Sequence, residues 1–266
     1  MPVAESQRTR TSTRPAATSA RDRTLPRAVL AELLGSALLS AVVIGSGIAA
    51  VQLSPDDVGL QLLENASVTA VGLYALILMF GPVSGAHFNP VVTLVDAVLG
   101  GRTWRTALAY LPAQVLGCVA GAVLANLMFD RGAMSISEKD RVTGPHLLAE
   151  VVATAGLILV IFTLTRTGRA ERAASAVGAY IGAAYFFTSS TSFANPAISV
   201  GRMFSDTFAG IAPASVPGYV VAQLVGAAVG LGLVVALYDA PRQGGEDAVL
   251  PPGRGPLPRD EINADA

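Results

Sequence analysis

SGAHFNPVVT, residues 84–93, follows a long apolar run and contains Asn89-Pro90, a pair that ordinarily marks the end of a helix. SFANPAIS, residues 192–199, repeats the arrangement in the second half of the chain with Asn195-Pro196. Proline is well tolerated at the first helical position, and asparagine is a good N-cap. Each pair therefore predicts the start of a short helix. One runs from Asn89 towards Gly100 and the other from Asn195 towards Ser205. Neither is long enough to cross a bilayer, which takes about 20 apolar residues.

The surrounding composition places these short helices in a membrane. The chain has 266 residues, 52% hydrophobic and 14% charged, with mean hydropathy +0.54. Soluble domains carry roughly 25% charged residues. Six apolar spans are expected, at about 28–50, 66–83, 106–129, 146–165, 173–191 and 217–238. The fold class is thus an all-α membrane protein with six transmembrane helices and two re-entrant half-helices. The single cysteine, Cys118, lies within an apolar run and reads as a small core residue. The net charge of −1 and the lack of a basic, aromatic-laced patch give no sign of a nucleic-acid partner.

Residues 1–27 and 239–266 flank this domain of 28–238 as polar tails and read as disordered. Lysine and arginine fix the expected orientation. Fourteen lie in the tails and in the loops after spans 2 and 4, against four in the opposite loops. Both termini are therefore expected on the cytoplasmic side of the cell membrane.

The two halves, about 28–129 and 146–238, share an order of features. Glu32 in AELLG answers to Glu150 in AEVV. NPVVT answers to NPAIS, and AQVLGCVAGA from Ala113 to AQLVGAAVGL from Ala222. Three spans per half force opposite orientations, which makes an inverted repeat. The half-helices then enter from opposite faces and meet near the middle. Their positive N-terminal ends and the two Asn amides repel cations and protons. Irregular backbone before them is tolerable where it lines a water-filled path or is buried in protein.

On these residues the chain resembles the aquaporin, or major intrinsic protein, family over residues 28–238. The resemblance implies a homotetramer with one pore per subunit. It implies a central motif of Asn89, Pro90, Val91, Asn195, Pro196 and Ala197. Val91 departs from the family's Asn-Pro-Ala. Pore-lining backbone is expected at Gly85, Ala86, His87, Phe193 and Ala194. Counting from the two Asn residues puts the selectivity constriction at Thr69, Ala183, Ser192 and Ile198. None of these is aromatic, none is His, and Ile198 stands where water-selective members carry Arg. Such a constriction is wide and weakly polar, which favours solutes with some apolar surface over water alone. Arg202 lies one helical turn further on and reads as solvent-facing or subunit-facing.

FANPAISVGRMFSDTFAGIAPASVP, residues 193–217, resembles bacterial aquaporins associated with arsenic resistance. By that resemblance the expected solutes are glycerol, neutral arsenite as the trihydroxide and small methylated arsenicals, besides water. A water-selective aquaporin and a secondary transporter are the alternatives. Glu32 and Glu150 are expected to accept hydrogen bonds from the loops before the half-helices; a proton-coupled carboxylate is the competing reading. Trp104 reads as an interfacial anchor and Asp206 as a loop or helix-end residue. No nucleophile–base pair, phosphate loop or metal cluster appears, so neither enzyme activity nor a cofactor is expected.

Overall fold

The computed structural model describes residues 18–239, with side chains from Thr24 onward. Eight α-helices follow one another: α1 Thr18–Leu53, α2 Val58–Ser84, α3 Pro90–Val98, α4 Trp104–Met128, α5 Gly144–Arg166, α6 Ala173–Phe187, α7 Pro196–Gly201 and α8 Val216–Leu237. There is no strand among the described residues. The six long helices surround α3 and α7, the two short ones started by Asn-Pro. The chain is thus a six-helix bundle with two re-entrant half-helices in an inverted repeat.

Local chemistry sets the helix starts. Asp57, Thr103 and Thr143 cap α2, α4 and α5 by accepting from the amides of Leu60, Thr106 and His146 at 2.9, 3.2 and 3.2 Å. Asn89 and Asn195 do the same for α3 and α7, with proline at the first helical position. Trp104 begins α4 and is half exposed.

Three sequence expectations need correction. Helix α1 starts at Thr18, inside the stretch 1–27 read as a tail. Alanine and arginine are good helix formers, so a span's helix runs on into polar sequence. The rest of the two expected tails, 1–17 and 240–266, lies outside the described residues. The second span begins at Val58 rather than near 66. Its polar first turns contain Gln61 and Asn65, which donate to the carbonyls of Ser54 and Val43 at 2.7 and 2.9 Å. Buried and paired, these residues do not interrupt the helix. The fifth span stops at Phe187 rather than at 191.

Among the described residues, five helices are long and apolar enough to cross a membrane. α6 has 15 residues. At about 1.5 Å per residue it falls short of a hydrocarbon core of about 30 Å. A 3-10 turn at Ala170–Arg172 extends it at one end.

Large apolar side chains such as Leu34, Leu108, Leu116, Val152 and Val221 face outward, while Glu32, Gln114, Glu150 and Gln223 are fully buried inside. This arrangement suits a lipid solvent, where buried polar groups must find partners within the protein. Two helix pairs make corresponding contacts in the two halves, α1 on α4 and α5 on α8. Both rest on glycines spaced by four. Gly117 and Gly121 of α4 lie against the α1 backbone at Leu33 and Ala37. Gly226 and Gly230 of α8 lie against the α5 backbone at Val151 and Ala155. Small residues let helix backbones approach closely where apolar burial gives no net drive.

Candidate functional site: a central cavity between two half-helices

The loops leading into α3 and α7 share an unusual backbone. Gly85, Ala86 and Phe88 have positive φ, and so do Thr191, Ser192 and Ala194. These positions lie four, three and one residues before Asn89 and Asn195 respectively. Non-glycine residues held left-handed are uncommon and persist only where the surroundings over-determine them.

Two carboxylates do that. Glu32 Oε1 accepts from the Ser84 hydroxyl at 2.6 Å and the His87 amide at 3.0 Å. Its Oε2 accepts from the Phe88 amide at 2.7 Å and Gln114 Nε2 at 2.8 Å. Glu150 repeats the pattern with the Ser190 hydroxyl, the amides of Phe193 and Ala194, and Gln223 Nε2, at 2.6, 2.9, 2.9 and 2.7 Å. The same glutamines also donate to hydroxyls on the half-helices, Gln114 to Thr93 at 2.8 Å and Gln223 to Ser199 at 3.0 Å. The repeated Ala-Gln of the sequence thus ties carboxylate, loop and half-helix together.

The half-helices are joined through their caps. Asn89 Nδ2 donates to the Ala194 carbonyl and Asn195 Nδ2 to the Phe88 carbonyl, both at 2.8 Å. Each Asn Oδ1 meanwhile accepts from its own first turn: Val91 N for Asn89, Ala197 N and Ile198 N for Asn195. Every Asn amide therefore keeps one N–H beyond the crossed bond. Val91 and Ala197 are both fully buried, so the bulkier valine is accommodated at this junction.

One cavity of about 60 Å³ runs past both Asn residues. A water needs about 10–15 Å³ of such space, so the cavity suits a short single file. The loops before the half-helices and their caps contribute Ala86, His87, Asn89, Ser192, Phe193 and Asn195 to its lining. Its apolar side comes from Leu39 and Val43 of α1, Leu73 and Ile77 of α2, Leu157 and Ile161 of α5, and Val177 and Ile181 of α6. Thr69, Tyr185, Ile198 and Arg202 gather at one end. There the Tyr185 and Thr69 hydroxyls lie 3.3 Å apart, and the buried Ser192 hydroxyl has no partner.

The expected site residues fall into three groups. Thr69, Ala86, His87, Asn89, Ser192, Phe193, Asn195 and Ile198 line the cavity. Gly85, Pro90, Val91, Ala194, Pro196 and Ala197 are buried behind it and do not line it. Gly85 instead adjoins Arg102, and Ala194 offers its carbonyl to Asn89.

Ala183 is a correction, because it is exposed on the outer face of α6. Two helical residues turn the chain by about 200°, so Ala183 opposes the face that carries Ile181 and Tyr185. The count back from Asn195 takes no account of where the helix ends before the loop. α2 continues to Ser84, but α6 ends at Phe187 and a turn follows. Tyr185 lines the cavity instead, beside Thr69, so an aromatic ring does stand there. Val177, Ile181 and Tyr185 recur every four residues, and that periodicity was the available signal.

Arg202 is the second correction. It is 2% exposed, lines the cavity, and donates through Nε to the Ala209 carbonyl. Asp206, by contrast, is a loop tie: it accepts from the Glu138 amide, and its own amide donates to Ser135. At the opposite end His87 Nδ1 lies 3.0 Å from the Thr93 hydroxyl and Nε2 3.4 Å from the Asp96 carboxylate, a partner the sequence did not single out. No metal-binding cluster occurs among the described residues.

This geometry agrees with what the chain is similar to. The family model described as Major intrinsic protein matches residues 19–192. The chain is 48% identical over 219 residues to Aquaglyceroporin AqpS of Rhizobium meliloti (strain 1021), covering 82% of this chain and 93% of that protein. It is 33% identical over 218 residues to Aquaporin NIP1-1 of Zea mays, covering 76% and 71%. The X-ray structure of the aquaglyceroporin from Plasmodium falciparum matches with a TM-score of 0.60 at 20% identity, over 79% of this chain and 95% of that one, a likeness of fold. The chain belongs to the major intrinsic protein family and is a multi-pass membrane protein.

Proposed function

We propose that this protein is a passive channel for water and small uncharged solutes, with glycerol, neutral arsenite and small methylated arsenicals as the solute class. Its assembly would be a homotetramer in the cell membrane, with both termini cytoplasmic and residues 28–238 as the channel domain. The observation that carries this reading is the cavity that passes the N-termini of both half-helices. Asn89 and Asn195 both line it, and each keeps an N–H beyond its crossed bond. A hydroxyl oxygen or water is a fitting guest, because it accepts from those amides and carries no charge to desolvate. Glu32 and Glu150 act as structural carboxylates, since the loop amides, hydroxyls and glutamines already occupy both oxygens of each. The name of the 48% identical relative supports glycerol as cargo.

Tyr185 and Arg202 favour a second reading, a water-selective channel, because both add bulk and polarity where the sequence count left neither. Two variants separate the readings. Ile198→Arg fills the cavity's weakly polar corner, and glycerol uptake by proteoliposomes is expected to fall on the order of tenfold while water flow falls less. Tyr185→Ala removes the ring that meets Thr69, and glycerol uptake is expected to rise. Unchanged glycerol uptake in both would show that the constriction lies elsewhere.

A further inference from the structure

Ile198 leaves the usual position of a filter cation apolar, yet the cavity does not lack a cation. Arg202 lies four residues on, one turn along α7 and the 3-10 turn that follows it, on nearly the same helical face. Its guanidinium carbon sits 3.4 Å above the centroid of the Phe193 ring. Phe193 is itself fixed, with its amide on Glu150 and its ring edge-on to Tyr219 at 5.0 Å. Arg202 borders two spaces at once, the central cavity and a pocket of about 190 Å³ that also touches Asn65, Lys139, Arg141 and Phe208. It is the gatepost between them.

Two more cations stand at this gate. Lys139 Nζ and Arg141 Nη2 donate to the Phe208 carbonyl at 3.1 and 3.0 Å, and Arg141 Nε donates to Gly210 at 2.7 Å. With Arg202 on Ala209, three successive carbonyls hold three cationic side chains. None of the three has an ion-pair partner among the described residues. Burial, reinforced by Arg141 and Arg202, pushes the Lys139 ammonium down to about 8, with Asp206 opposing. The carbonyl anchors position these charges without neutralising them. A merely structural arginine is normally matched by an acid when it is this deeply buried.

We propose that Arg202, displaced one turn from Ile198, is the channel's cation barrier, with Lys139 and Arg141 as its outer collar. This rests on the channel reading above. A solute passing the Thr69–Tyr185–Ser192 end meets a fixed positive charge in a partly dehydrated space. An uncharged molecule passes it, while a sodium or potassium ion is repelled where water screens least. The barrier sits beside the path on the Phe193 ring rather than in it, so the corner at Ile198 stays free for larger neutral solutes.

The test is sodium and potassium conductance of the full chain in proteoliposomes, expressed relative to glycerol uptake by the same vesicles. The unmodified protein is expected to pass cations no faster than protein-free lipid, which sets the baseline ratio. Arg202→Gln is expected to raise the ratio at least about tenfold, and Arg202→Lys to restore most of the rejection. Lys139→Gln/Arg141→Gln, at the rim, is expected to raise it about threefold and decides the matter if Arg202→Gln fails to fold. Cation rejection that persists in a folded Arg202→Gln channel, or in the double variant when Arg202→Gln is unfolded, overturns the proposal. So does cation current through the unmodified protein. An unmodified protein that passes no glycerol sinks the channel reading instead, and the two failures are distinct.

Discussion

Glu150→Ala is expected to abolish the folded protein rather than to retune it. The carboxylate accepts four hydrogen bonds, from Ser190, Phe193, Ala194 and Gln223. Removing it strands all four donors in a fully buried site. Each stranded buried donor costs about 1–3 kcal/mol, so the loss is on the order of 4 kcal/mol or more. That is a large share of a native stability of about 5–15 kcal/mol. The loop it holds also contains Thr191, Ser192 and Ala194 in left-handed conformations, which would relax once released.

Glu150→Gln is nearly as damaging. Each carboxylate oxygen receives a backbone amide, so whichever oxygen becomes NH2 faces another donor. Glu32→Ala should behave alike, because its partners mirror those of Glu150. The check is size-exclusion chromatography and thermal stability in detergent. Aggregation or loss of the monodisperse peak is expected. Wild-type recovery and stability would show that the loops hold their shape without the carboxylates.

Gly121→Val is the second large effect, and it acts through packing alone. A Cβ at Gly121 would collide with the Ala37 carbonyl oxygen, and would sit 2.8 Å from that carbonyl carbon and 2.9 Å from Ser40 Cβ. The obstacle is the α1 backbone, which cannot swing aside as a flexible side chain does. Separating α1 from α4 breaks the most extensive helix contact in the molecule. Overpacking ordinarily costs about 1–3 kcal/mol, and a backbone collision lies at or above the top of that range. Gly230→Val, which meets the Ala155 carbonyl at 2.7 Å and Ile158 Cβ at 2.8 Å, should be comparable. Gly232→Ala is the control: beyond its own helical turn no atom lies within 4 Å of its Cβ position, and it exchanges a poor helix residue for the best one. Thermal stability in detergent should drop sharply for the first two and hold or rise slightly for the third. Equal stability in all three would mean that the close glycine seams do not matter.

The fold was legible because its signals are local and doubled. Asn-Pro writes both the cap and the first turn of each half-helix. Glu32/Glu150 and Gln114/Gln223 recur in the same order because each half must satisfy the same loop donors. The site was less legible because it depends on helical phase. Counting from Asn89 reaches Thr69, which lines the cavity, along α2, which runs unbroken to Ser84. The same arithmetic failed at Ala183, because α6 ends at Phe187 and the turn beyond it changes the phase. Tyr185 carries its own phase, recurring with Val177 and Ile181, but a count from Asn195 does not consult it. Arg202 was missed for another reason. Its direction depends on Phe193 and on the carbonyl of Ala209, neither of which a spacing rule contains. Likewise Asp96 meets His87 only because the loop before α3 folds back over that helix.

The proposed channel stands on conduction of uncharged molecules through the cavity past Asn89 and Asn195. Stopped-flow light scattering on proteoliposomes of the full chain, under an osmotic gradient of impermeant sugar and then of glycerol, tests it most directly. Shrinkage in sugar is expected to be faster than in protein-free vesicles, followed in glycerol by reswelling well above the lipid background. Glycerol traces that match protein-free vesicles alongside rapid water flow would contradict the solute channel and leave the water-selective one. Traces that match protein-free vesicles in both gradients would contradict a conducting cavity altogether.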